Sequence, residues 1–148
     1  MRQELEEAHQ HEQQALERAS AEAPSIFGHF VFRVMTGSME PSIPEDSLIV
    51  VRRTEPSEIR TDDIISYYSS DPELNGSVNT HRVVSVEQHE EGTVFWIKGD
   101  ANALQDRYPA TEKEVLGKVI FISYPLGIAV NFLSTPADLY FSLYFRCW

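Results

Sequence analysis

Three short stretches hold residue types that can act together on a carbonyl. "VMTGSMEP" (34–41) sets Ser38 between a glycine and a methionine at the end of an apolar run. "NTHRVVSV" (79–86) places His81 inside a β-rich segment, and "WIKGDANALQD" (96–106) offers Asp100 and Asp106. A serine hydroxyl is a weak nucleophile at neutral pH, so it needs a base within hydrogen-bond reach and a third group to orient that base. Serine, histidine and aspartate are the residue types of such a relay, although a relay is defined by geometry and not by chain order. Each stretch also has a plain structural reading. Thr-Gly-Ser and Gly-Asp-Ala-Asn are turn sequences whose side chains bond their own backbone, and a histidine in a strand is commonly a satisfied core or surface residue. Lys98 is a competing base, one that can serve only if kept uncharged.

The elements that must position these groups are strands. From about Ser25 onward, short apolar segments alternate with turn signals, the pattern of an all-β domain. The expected strands are 29–35, 47–53, 63–69, 77–88, 93–99 and 115–124, all rich in Val, Ile, Phe and Tyr. "PSIPED", "DPELNG", "HEEG" and "RYPATEKE" separate them, and "HEEG" (89–92) is the best local hairpin signal. A short helix is expected over 127–133, ended by "STP". No internal repeat is found.

Three regions follow. Residues 1–25 form an acidic polar tail, an exposed helix or a disordered segment, with almost no apolar face to bury. Residues 26–128 form the β-rich domain. Residues 129–148 form an aromatic C-terminal segment, five of whose last ten residues are aromatic, packed on the core or lying at a membrane interface.

The chain has 148 residues and a formal net charge of −11, which disfavours nucleic acid as a partner. Its one cysteine, Cys147, rules out an internal disulfide. No run of apolar residues is long enough for a convincing membrane span, and the N-terminus lacks the basic and apolar regions of a signal peptide. His9 and His11 are read as solvated tail residues and not as metal ligands, so no metal or organic cofactor is expected.

Taken together, "TGSMEPSIPEDSLIVV" (36–51), "DIISYY" (63–68), "NTHRVVSV" and "WIKGDANALQD" resemble, in order, the sequence boxes of type I signal peptidases. The resemblance spans about residues 30 to 128. It is closer to the branch of the endoplasmic reticulum, archaea and sporulating Gram-positive bacteria, which uses a histidine where the ordinary bacterial enzymes use a lysine. What it implies is a signal-peptidase-like folded β-sheet domain carrying a serine endopeptidase. Ser38 would be the nucleophile, His81 the general base and Asp106 the orienting acid. Asp100 would support the site, and Thr36 would join the Ser38 backbone N–H in holding the oxyanion.

The implied substrates are signal-peptide-bearing preproteins cut after small residues. A membrane surface and partner subunits are the implied partners, with the active site on the extracytoplasmic or lumenal side. Members of the family normally carry a membrane span just before the serine box, whereas here "SIFGHFVF" (25–32) precedes it behind a polar tail. The alternative function is a catalytically silent or self-cleaving β-domain of the same fold, acting as an assembly or regulatory subunit.

Overall fold

The computed structural model of the protein describes residues 25–74 and 76–134. The expectations for the polar tail and for the closing aromatic run lie outside these residues. Alternating apolar residues build β1 (Ser25–Ile26), β2 (His29–Arg33), β3 (Leu48–Arg52), β4 (Ile64–Tyr68), β5 (Val78–His89), β6 (Gly92–Lys98), β7 (Ala110–Thr111) and β8 (Val115–Ser123). These join in a single sheet of order β1-β2-β3-β8-β4-β5-β6-β7, with every neighbouring pair antiparallel. The expected mostly-β fold with a short helix near its C-terminal end is therefore observed. Each of the six expected strands forms, usually one or two residues shorter. β1 and β7 are two-residue pairings too short to announce themselves in sequence.

"HEEG" makes the hairpin it signals, with His89 opposite Gly92 across a two-residue loop. Gly92 adopts φ 133°, open to glycine and costly for other residues. The helix α1 (Tyr124–Ser134) begins three residues before the expected start. Pro125 reads as a breaker but sits in the first turn, where its missing N–H costs nothing. The Ser123 hydroxyl accepts the Leu126 N–H at 3.3 Å. A Cβ on Gly127 would lie 1.8 Å from the Asp46 carbonyl oxygen, so only glycine allows α1 to lie this close to the segment entering β3.

β4 is paired on both edges, with β5 and β8, and is buried on both faces. Ile65 and Tyr67 pack with Ile59, Val83, Phe95, Ile97 and Ala110 on one side. Tyr68 points to the other, into Phe30, Met39, Ile43, Ile49, Val51 and Leu116. Met39 and Ile43 belong to the stretch after β2, so the segment carrying Ser38 is anchored by core side chains that directly follow the serine. Fully burying aliphatic side chains of this size contributes about 1.5–3 kcal/mol each.

Candidate active site

Three strands separate β2 from β5 in the sheet, yet the chain leaving β2 meets β5 directly, because the sheet curls. Ser38 lies in a single 3-10 turn, Gly37–Met39, that follows the end of β2. Glu40 then takes extended angles (φ −66°, ψ 146°) before Pro41, as a residue preceding proline should. Gly37 itself has no left-handed φ. A Cβ there would meet only the far end of the Glu40 side chain, at 3.3 Å, so the turn does not depend on glycine in the way the Thr-Gly-Ser sequence suggests.

His81 stands on β5 directly opposite Ile65 of β4, with its side chain on the same face as Tyr67 and almost wholly buried. Its Nε2 lies 3.2 Å from the Ser38 Oγ, and its Nδ1 lies 2.5 Å from Asp106 Oδ2. A carboxylate only accepts, so the ring carries its proton on Nδ1 and turns a free lone pair on Nε2 toward the serine. Asp106 arrives from the irregular segment after β6, and its N–H donates to the Ile97 carbonyl at 2.9 Å. Ser38, His81 and Asp106, named separately from the sequence, are thus brought into one contact chain.

Thr36 Oγ1 lies 3.3 Å from Ser38 Oγ, beside the serine hydroxyl. Asp100 does not cap its own turn, as the plain reading of Gly-Asp-Ala-Asn has it. Its carboxylate leaves its own turn and clamps Arg82, with Nε donating to Oδ1 at 2.8 Å and Nη2 to Oδ2 at 2.7 Å. Arg82 Nη2 also reaches the Ser42 hydroxyl at 3.2 Å. Alternation along β5 sends Arg82 to the face opposite His81, so Asp100 braces the back of the site. Those guanidinium bonds, working against partial burial, hold the Asp100 carboxyl below the usual carboxylate range. The same pairing raises the Arg82 guanidinium. Among the described residues, no hydrogen bond joins Lys98 to Ser38.

Sequence reasoning overlooked Arg82 and Tyr67. The Tyr67 hydroxyl donates to Asp106 Oδ2 at 3.1 Å. Burial first, and then the Asp106 charge, push its phenol far above the ordinary tyrosine range, so it remains a donor. Tyrosine in a buried strand usually bonds its hydroxyl, but "SYY" offers two tyrosines, and of these Tyr67 is bonded while the buried Tyr68 hydroxyl has no hydrogen-bond partner among the described residues.

A cleft of about 530 Å³ runs past Ser38, with Phe32, Val34 and Met35 on one wall and Val78, Asn79 and Thr80 on the other. Both walls present open strand edge. β1 covers only His29 and Phe30 of β2, and β6 begins to pair with β5 at Arg82. The Thr80 N–H has no strand partner and donates to the Asn79 Oδ1 at 3.1 Å. An extended peptide laid in the cleft would meet unpaired backbone on both sides.

A hydroxyl, an imidazole and a carboxylate in this order of contact, beside a strand-lined cleft, are the groups that acyl transfer from a peptide requires. No family model matches the chain. Over 99 residues it is 34% identical to signal peptidase I W of Bacillus subtilis (strain 168). The match covers 66% of this chain and 50% of that protein, so the chain spans about half the length of the curated relative it matches. Together with the curled β-sheet, this similarity supports membership of the signal peptidase I family in general.

Proposed function

We propose that the protein is a serine endopeptidase of the signal peptidase I type, using a histidine base, that removes signal peptides from exported preproteins after small residues. The observation that carries this reading is the 3.2 Å approach of His81 Nε2 to the Ser38 hydroxyl, with Asp106 on the other ring nitrogen. Ser38 Oγ attacks the scissile carbonyl as His81 takes the hydroxyl proton. The Ser38 N–H and the Thr36 hydroxyl hold the oxyanion, and Asp106 steadies the imidazolium. Collapse of the tetrahedral intermediate gives the new amine the His81 proton and leaves an acyl ester on Ser38, which water then hydrolyses.

Asp100 supports the site through Arg82. The substrate lies extended in the cleft as an added strand, so alternate side chains face the protein. A membrane surface is the natural neighbour for such a substrate. The exposed apolar side chains of Ile120, Phe121, Leu126, Val130 and Phe132 favour such contact. Among the described residues no helix is long and apolar enough to cross a membrane. In this reading the catalytic face is extracytoplasmic or lumenal, and partner subunits join the protein there.

The test is cleavage of a signal-peptide substrate bearing an Ala-x-Ala site, in detergent micelles, by wild type beside Ser38→Ala. Cleavage at that site, absent in the variant, is the expected result. No cleavage by wild type would favour a silent β-domain, and cleavage within its own chain a self-processing one.

A further inference from the structure

We infer that Tyr67 is a positioning residue, whose phenol fixes Asp106 Oδ2 and thereby sets the imidazole of His81 for transfer with Ser38. This rests on the roles proposed above for those three residues. Asp106 is carried by the segment between β6 and β7, where residues 101–105 are all exposed and without regular structure. The bond from the Asp106 N–H to the Ile97 carbonyl fixes the backbone there, but the carboxylate itself is left to be held by the side chains it meets. Tyr67, by contrast, is on β4, locked between two strands and buried.

The three polar atoms form a tight triangle. Tyr67 Oη is 3.1 Å from Asp106 Oδ2 and 3.4 Å from His81 Nδ1, while Nδ1 and Oδ2 are 2.5 Å apart. The phenol has one proton and Nδ1 already donates its own, so the phenol proton goes to the carboxylate. One oxygen therefore receives both donors and is fixed from two directions. The ring of Tyr67 fills the core beside Val83 and Phe95, a task phenylalanine would do equally well. What the hydroxyl adds is its bond to Asp106.

Tyr67→Phe removes that bond and keeps the packing. A hydrogen bond to a charged group lost at this distance from the chemistry lowers kcat about tenfold, with KM near wild type. In an Asp106→Asn background the same change costs less than about twofold, because the two residues act as one unit. A KM-borne loss, an unchanged kcat, or full additivity in the double variant would overturn the inference. A readout free of substrate decides it separately. The His81 Nδ1 proton, followed by NMR as a downfield resonance abolished in Asp106→Asn, shifts in Tyr67→Phe, and an unmoved resonance sinks the positioning role. Survival of cleavage in Ser38→Ala would instead remove the proposed function, leaving the resonance to judge Tyr67 alone.

Discussion

Gly99 stands so close to Ser38 that a Cβ built on it would lie 2.6 Å from the Ser38 carbonyl oxygen. The same carbonyl accepts the Ala101 N–H at 2.9 Å. The turn after β6 is thereby stitched to the turn that carries the serine, and the stitch tolerates no side chain on Gly99. Gly99→Ala is expected to cost about 1–3 kcal/mol of stability, the range for overpacking a close contact, and to impair turnover. Gly37→Ala, whose Cβ would press only on the mobile end of Glu40, should melt within a few degrees of wild type. Thermal unfolding of the two variants checks the contrast, and equal damage from both would contradict it.

Ser38→Ala and His81→Ala should each abolish cleavage of an Ala-x-Ala peptide, because members of such a unit fail together. Lys98→Ala should keep most of it. Activity surviving in His81→Ala but lost in Lys98→Ala would mean a lysine base. Asp106→Asn should lower turnover by about 10⁴, the scale of a triad aspartate, while circular dichroism shows an intact fold.

Alternation along an extended substrate sets the register of specificity. Side chains one and three before the cut face the protein, and the one between them faces away. Phenylalanine at either outer position of Ala-x-Ala should stop cutting, and phenylalanine at the middle should be accepted. Mass spectrometry of the products reads this directly, and equal tolerance at all three positions would exclude the added-strand geometry.

Acid should dissolve the brace behind the site. The Asp100 carboxyl is depressed chiefly by its hydrogen bonds from Arg82, so the folded state binds that proton less readily than the unfolded one. Its stabilisation is therefore complete above the ordinary carboxylate range, near pH 4, and lost as pH falls through the depressed value. Asp100→Asn should be less stable than wild type by about 1–2 kcal/mol at pH 7, allowing for the partial exposure of the pair. Urea titrations across pH 2–7 should show that gap closing below about pH 4. A gap that persists at pH 2 would mean that Asp100 acts by shape and not by charge.

Sequence alone determined the strands, the hairpin and the chemical inventory. Period-two alternation is a local property, so β2 to β6 and β8 were legible from "HFVFR", "LIVVR", "IISYY" and their successors. Ser38, His81 and Asp106 were legible as types, and their adjacency came only through a resemblance. The tertiary structure decided what local pattern cannot carry. It curled the sheet so that a turn after β2 meets β5 across three intervening strands. It sent the Asp100 carboxylate to Arg82 when the Gly-Asp turn alone suggested a backbone cap. It set a need for glycine at position 99, since close approach between distant segments leaves no trace in either segment's own sequence. And it gave the buried hydroxyl of Tyr67 its partner on Asp106, thirty-nine residues away, because burial favours a bonded hydroxyl and only the fold decides which distant residue supplies the bond.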